Sequence, residues 1–185
     1  MKKLFSILLV TLLSFSVSAE NEVTSFMGIP VEGNKKTLTE SILSKGFKLT
    51  KDNHIYGWYN SENVLVKILE GDKGVYGIEV IEVKGTKEVL SAITKYNSMV
   101  DWFKNLANYT EYEANTPIIF DNIETKSIKK FIEKEWFVAE FYQKTKSDIE
   151  KFNKPVMIYL TEINGYYHLI IRFVNIYNKP EDIEN

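Results

Sequence analysis

Two long apolar runs separated by Asn164-Gly165 constrain the fold of this chain more than any other feature. Residues 156–163 and 166–174 are rich in Val, Ile, Leu, Phe and Tyr. Asn-Gly is the two-residue sequence that best tolerates positive φ at both positions of a tight hairpin turn. The pattern therefore predicts a β-hairpin near the end of the chain. The apolar face of such a hairpin has to be buried against another part of the protein.

A type I′ turn at Asn164-Gly165 also predicts which side chains share a face. In that register Thr161 faces His168 and Tyr159 faces Ile170, with Arg172 further along the same face. We expect this face to be polar and exposed to solvent. The opposite face is almost wholly apolar and is expected to be buried; it carries Val156, Ile158, Leu160, Leu169, Ile171 and Phe173, with Glu162 and Tyr167 nearest the turn.

Two helices and a strand meander are predicted upstream of the hairpin. Apolar residues fall on one helical face between Lys36 and Leu43, where Thr37–Glu40 fits a capping box and Gly46 ends the helix. The strongest helical periodicity runs from Lys87 to Ala107, and Thr86 can cap its start. Turn residues separate three strand-like runs between these helices: 55–59, 64–69 and 75–83.

The segment between the long helix and the hairpin has a mixed pattern. Residues 126–134 fit either a helix or a strand, whereas 137–143 favour a strand. Residues 144–154 are polar and predict a loop with a short helical turn.

These elements together predict an α+β fold in a single domain over residues 20–185. We expect a mainly antiparallel sheet, with the long helix (about 87–107) and the shorter N-terminal helix packed on one face. The order of elements also allows two αβββ-like halves, at about 28–83 and 117–174.

The first nineteen residues predict export. Lys2 and Lys3 precede the apolar run 4–13, and small residues follow up to Ala19, which is the order found in a cleavable signal peptide. The apolar run has about half of the ~20 residues that a transmembrane helix needs. We expect cleavage after Ala19 and a periplasmic or extracellular protein with no membrane span. The alternative is an uncleaved N-terminal anchor.

The amino-acid composition excludes several classes of function for this chain. The chain has no cysteine, which excludes a lipoprotein anchor, disulfides, cysteine-ligated metals and thiol catalysis. Loss of residues 1–19 leaves 21 of the 23 basic side chains against 25 acidic ones, a net charge of −4. Arg172 is the only arginine. An acidic chain without an arginine cluster argues against nucleic acid as a partner.

The sequence contains no recognised catalytic motif. Gly-x-Ser-x-Gly, phosphate-loop, dinucleotide and His-Glu-x-x-His patterns are absent. We predict no metal and no cofactor, because His54 and His168 lie at unrelated positions and no calcium loop occurs. His54 fits a surface turn. A hydrolytic carboxylate pair could come from the acidic central connection, which solvated loop residues explain equally well: Glu111, Glu113, Asp121 and Glu124.

Aromatic residues make up 14% of the chain, and Tyr and Trp are favoured at binding surfaces. Tyr56-Gly57-Trp58-Tyr59 predicts large rings on both sides of a strand. Together with the polar hairpin face, this segment gives the predicted binding residues: Tyr159, Thr161, His168, Arg172, Tyr56, Trp58 and Tyr59. The alternative is that the rings fill the core and the polar groups only face solvent.

Three stretches carry a resemblance to a known group of proteins. They are 27–33 leading into a helix that ends at Lys45-Gly46-Phe47, Ala139–Gln143, and Tyr167–Asn175 followed by Asn178 and 181–183. Together they resemble small exported proteins of uncharacterised function from gut bacteria of the Bacteroides type. The resemblance covers most of the mature chain and implies no activity. It favours a hairpin over a helix around 126–134.

Three functional hypotheses follow. We expect an exported binding or interaction module for a protein or glycan ligand of unknown identity. The alternative is an extracytoplasmic hydrolase that acts on glycan or peptide through an Asp/Glu pair. A third hypothesis is an assembly subunit that offers an unpaired strand edge.

Overall fold

A computed structural model describes residues 22–112, 132, 138–145 and 153–181. Several sequence predictions lie outside the described residues: the signal peptide at 1–19, the segment 126–134 apart from Ile132, most of the predicted loop 144–154, and Glu113, Asp121 and Glu124. Ile132 itself is helical and buried. At this one residue the helix is observed rather than the hairpin.

The described residues contain two helices and ten strands. The helices are α1 (Lys35–Ser44) and α2 (Val89–Lys104). The strands are β1 (Ser25–Phe26), β2 (Ile29–Pro30), β3 (Lys48–Leu49), β4 (Ile55–Tyr59), β5 (Glu62–Gly71), β6 (Gly74–Glu82), β7 (Tyr109–Glu111), β8 (Val138–Gln143), β9 (Pro155–Ile163) and β10 (Tyr166–Val174).

Eight of these strands form one antiparallel sheet, in the order β3-β4-β5-β6-β10-β9-β8-β7. Strands β1 and β2 form a separate antiparallel pair. The strand order is symmetrical about the contact between β6 and β10, with β3 to β6 in one half of the sheet and β7 to β10 in the other. The arrangement confirms the α+β class and the mainly antiparallel sheet.

The C-terminal hairpin has the predicted turn and register. Asn164 and Gly165 have φ values of 54° and 78°, as a type I′ turn requires. Thr161 pairs with His168, and Tyr159 with Ile170. The turn residues thus set the pairing of the two apolar runs that flank them.

One hydrophobic cluster joins both helices to the sheet. It contains Leu38 and Ile42 of α1, the buried stripe of α2, and alternate residues of the strands. We call the sheet face that carries these residues the core face: Val64, Val66, Val80, Ile158, Ile171 and Phe173. The opposite face, the outer face, carries the residues between them, such as Lys67, Glu79 and Arg172.

The helix starts differ from the predicted ones. Asn34, rather than Thr37, caps α1, because its Oδ1 accepts a hydrogen bond of 3.0 Å from the Thr37 backbone N–H. Gly46 ends this helix in the left-handed region, as predicted. Glu88 occupies the N-cap position of α2 and makes no side-chain cap hydrogen bond. Thr86 forms a backbone β-bridge to Tyr167, and its hydroxyl accepts from the Glu88 backbone N–H at 3.1 Å.

Most predicted strands are present, and four short ones were not predicted. Strands β4 and β10 have the predicted bounds, whereas β5 extends by two residues at each end. The unpredicted strands have two or three residues each, too few for an alternating pattern: β1, β2, β3 and β7.

Candidate functional site

Tyr159 and Arg172, both predicted binding residues, meet on the outer face around Glu79. The Arg172 guanidinium donates to Glu79 Oε1 from Nε at 3.0 Å and from Nη2 at 2.5 Å. The Tyr159 hydroxyl donates to the same oxygen at 3.1 Å, and Lys67 Nζ lies 3.3 Å from Oε2. We call these four residues the Glu79 cluster. Glu79 was not among the predicted residues.

The Glu79 cluster is an ionised and internally satisfied network. Burial by itself would raise the pKa of Glu79, but hydrogen bonding to Arg172 and the charges of Arg172 and Lys67 outweigh it and lower the pKa. Among the described residues, no buried side-chain nitrogen or oxygen lacks a hydrogen-bond partner. The cluster therefore holds the outer face together.

The prediction that this hairpin face is exposed to solvent is wrong for part of it. Tyr159 and Ile170 are 6% and 5% exposed, although both lie on the outer face. Arg172 stacks over the Tyr159 ring at 5.1 Å and covers it with its long side chain. Arg172 itself is only half-buried.

His168 and Thr161 pair in register but do not join the Glu79 cluster. His168 Nδ1 lies 2.8 Å from the backbone carbonyl oxygen of Glu82. Its ring packs so closely on Gly85 that a Cβ there would lie 2.6 Å from Nε2. His168 therefore anchors the loop after β6 to β10.

The aromatic segment of β4 places its rings on both faces, as predicted. Tyr56 and Trp58 lie on the outer face, where the Tyr56 hydroxyl donates to Asn63 Oδ1 at 2.7 Å and Trp58 is 64% exposed. Tyr59 lies on the core face and packs edge-on against Trp102 of α2, with centroids 6.0 Å apart. Tyr59 is thus separated by the sheet from the other predicted binding residues.

Tyr59 forms one wall of a cavity between α2 and the core face. We call this space, of about 200 Å³, the helix–sheet cavity. Its floor is apolar and comes from three neighbouring strands: Val64, Val80, Leu169 and Ile171. Its rim is exposed and polar, so that solvent reaches the interior: Asn60, Glu62, Thr94 and Ser98.

A buried ion pair lies beside this apolar floor. Glu82 is the last residue of β6, and its carboxylate is paired with Lys95 of α2. The Glu82 side chain is 6% exposed, whereas the Lys95 side chain is 38% exposed. The carboxylate is therefore the fixed, desolvated partner, and the ammonium is the partner that reaches solvent.

Sequence reasoning did not find Glu82 or Lys95. In the run 75–83 the core-facing positions alternate through Ile78 and Val80 to Glu82. A charged residue at a core-facing position is the signal that marks Glu82. Lys95 has no such signal, because it lies at the edge of the apolar stripe of its helix.

The predicted turn residue His54 lies elsewhere. It is exposed and lines a wider depression of about 400 Å³ beside α1 and β3. No acidic side chain is among the described residues that line this depression. Glu111 lies in β7, where it pairs with Lys104 at 3.2 Å.

Residues 22–112, 132, 138–145 and 153–181 contain neither a clustered metal site nor a membrane-spanning helix. Within these ranges, no group of three or more His, Asp or Glu side chains is arranged to hold a metal ion. No helix there combines the length and the apolar character that crossing a bilayer demands. Comparison of the chain with family models, with curated proteins and with solved structures found no match.

Proposed function

We propose that the mature chain is an exported binding module that holds a small ligand in the helix–sheet cavity. The observation that carries the proposal is the juxtaposition of an apolar floor with the buried Glu82–Lys95 pair in a cavity that solvent can enter. Small-molecule sites typically combine apolar walls with a few fixed polar groups. The helix–sheet cavity has this composition.

The volume of the cavity suits a small occupant. An engineered apolar cavity of roughly 150 Å³ admits benzene, and the helix–sheet cavity has about 200 Å³. A compound with six to eight heavy atoms therefore fits, on the order of one benzene ring with a polar substituent.

The Glu79 cluster is less suited to bind a ligand. Glu79 Oε1 already accepts hydrogen bonds from Arg172 and Tyr159, and Oε2 is paired with Lys67. A ligand there would have to break a satisfied buried network before it gained any contact. We therefore assign the cluster to stability rather than to binding.

A neutral probe tests the cavity without any assumption about ligand charge. We expect 1-hexanol to shift the backbone ¹H–¹⁵N signals of Val80 and Leu169 in the mature protein, residues 20–185. The Ser98→Trp variant should abolish these shifts by filling the rim. Ser91→Trp, on the same side of α2 two turns away, is the matched control and should retain them. Equal shifts in both variants would place the probe outside the cavity.

The export of this module rests on residues 1–19. We propose that the chain is cleaved after Ala19, and the intact mass of the protein recovered from the periplasm or medium tests this. A recovered protein that retains residues 1–19 would indicate an N-terminal anchor instead.

The hydrolase alternative would use two carboxylates of the same cavity. Glu62 on its rim and Glu82 inside it are two carboxylates that line one space, as a glycosidase requires. Glu82 is already paired with Lys95, however, so that Glu62 alone would have to act as the general acid. Release of reducing sugar from glycan by wild type but not by Glu62→Gln would favour the hydrolase.

We also propose that the fold consists of two similar halves. The order α1 followed by four strands, then α2 followed by four strands, supports this. The second half would then begin at α2, earlier than residue 117. Fragments 20–84 and 85–185 should reassociate through β6 and β10 when co-expressed, and failure to reassociate would count against two separable halves.

A further inference from the structure

We infer that the helix–sheet cavity selects ligands that carry a protonated amine on a short apolar body. This inference rests on the proposed binding function and deepens it. It follows from the unequal exposure of the two partners in the Glu82–Lys95 pair and from the apolar surface beside them.

The Glu82 carboxylate cannot leave the cavity. It is fixed at the end of β6, opposite Val64 in the register with β5, and its backbone carbonyl is also held by His168 Nδ1. Because its side chain is only 6% exposed, it requires a cation beside it at all times.

The Lys95 ammonium, in contrast, can leave. Its side chain is 38% exposed and extends from the edge of the buried stripe of α2 on a flexible four-carbon stem. When another cation takes its place beside Glu82, Lys95 can extend into solvent, where its charge is hydrated. Lys95 thus acts as a replaceable counter-ion for Glu82.

This difference in exposure between Glu82 and Lys95 determines which ligand charge the cavity favours. A ligand ammonium can take the place of Lys95, which keeps Glu82 paired and returns Lys95 to water. A ligand carboxylate would have to draw Lys95 away and leave Glu82 buried without a cation, which carries a large free-energy cost. The geometry therefore favours a cationic ligand over an anionic one.

The apolar floor supplies the second part of the selectivity. Val80, Leu169 and Ile171 are buried side chains that line the cavity beside Glu82. An ammonium compound with an alkyl or aromatic body would cover these side chains, whereas a fully hydrophilic cation would gain no apolar contact. The expected class is a monoamine of six to eight heavy atoms, on the order of the cavity volume.

The test compares three six-carbon probes of the same shape: hexylammonium, 1-hexanol and hexanoate. We expect hexylammonium to bind the mature protein about tenfold or more tightly than 1-hexanol, because its ammonium bonds to the buried Glu82 carboxylate while the displaced Lys95 ammonium becomes hydrated. Hexanoate should bind most weakly. Isothermal titration calorimetry or NMR titration gives the three dissociation constants.

Two variants separate the roles of the ion pair. Glu82→Gln should remove the preference for hexylammonium over 1-hexanol, measured as the ratio of the two dissociation constants. Lys95→Met should tighten hexylammonium binding about tenfold, because the internal competitor is gone. If Lys95→Met does not fold, the Glu82→Gln comparison decides alone, since Lys95 remains hydrated in that variant.

The outcomes distinguish this inference from the proposed function. Binding of all three probes with equal affinity, or tighter binding of hexanoate, would overturn the amine selectivity and leave the cavity as a binding site. Absence of binding for all three probes would overturn both proposals. Tighter binding of hexylammonium that persists in Glu82→Gln would show that Glu82 is not the anchor and would overturn the inference.

Discussion

At the scale of single residues, Glu79 concentrates the polar contacts of the outer face. We predict that Arg172→Met lowers the free energy of unfolding by about 3 kcal/mol, because it removes the main partner of a buried carboxylate. Lys67→Met is the matched control: its side chain is 63% exposed, so its loss should cost about 1 kcal/mol or less. Urea unfolding measures both. Equal losses would contradict a network centred on Arg172.

The same carboxylate predicts a pH dependence of stability. The pKa of Glu79 lies below its ordinary value of 4.5 in the folded protein. Its stabilising contribution is therefore complete above that value and is lost as pH falls through the lower, folded pKa. The stability difference between wild type and Glu79→Gln should be large at neutral pH and shrink in acid. A difference that stays constant across the titration would show that Glu79 is not stabilised as an anion.

A close backbone approach explains why β4 has a glycine between two aromatic residues. A Cβ on Gly57 would lie 2.4 Å from the Phe47 ring. We predict that Gly57→Ala destabilises the protein by about 1–3 kcal/mol through overpacking. Gly57→Ala should cost less in a Phe47→Leu background, where the ring is absent. Additive costs in this double-mutant cycle would contradict the contact.

At the scale of elements, the residue that caps α1 in the structure is not the one that the sequence predicts. We predict that Asn34→Ala destabilises the protein by about 1 kcal/mol, because Asn34 Oδ1 accepts from the Thr37 backbone N–H. Thr37→Ala should cost within about 0.5 kcal/mol, since it removes an exposed hydroxyl whose hydrogen bond to Asn34 Oδ1 is open to solvent. Thermal unfolding of the two variants tests this order. The reverse order would restore Thr37 as the cap.

Helices and strands with a long hydrophobic pattern could be predicted from the sequence, whereas strands of two or three residues could not. The hairpin was predicted with its register, because Asn164-Gly165 fixes the turn and the flanking runs show which face is apolar. The long helix was found by its stripe, although its predicted ends at 87 and 107 extend beyond Val89–Lys104. Strand β3 has two residues, and only its neighbour β4 defines it as a strand.

At the scale of the whole molecule, the strand order decides which residues meet. Tyr159 and Arg172 lie on one hairpin, and their proximity could be predicted from its register. Glu79 comes to them only because β6 pairs with β10 across the centre of the sheet. A single sequence does not specify such a pairing between distant strands. The Glu79 cluster therefore could be predicted only in part.

The helix–sheet cavity depends on tertiary packing in the same way. Its walls come from four strands and α2, and its ion pair joins the end of β6 to the second turn of α2. Among the predicted binding residues, Tyr59 alone lines it. Periodicity showed that α2 has a buried stripe, but it could not show where the helix and sheet fail to fill the space between them.

Intermolecular nuclear Overhauser effects give the most direct test of ligand binding in this cavity. With hexylammonium bound to the mature protein, we predict contacts from the probe's alkyl chain to the methyl groups of Val80, Leu169 and Ile171. The Ser98→Trp variant should lose them, and Ser91→Trp should retain them. Contacts confined to exposed side chains such as Trp58, or contacts that persist in Ser98→Trp, would contradict the assignment of the ligand site to the space between α2 and the sheet.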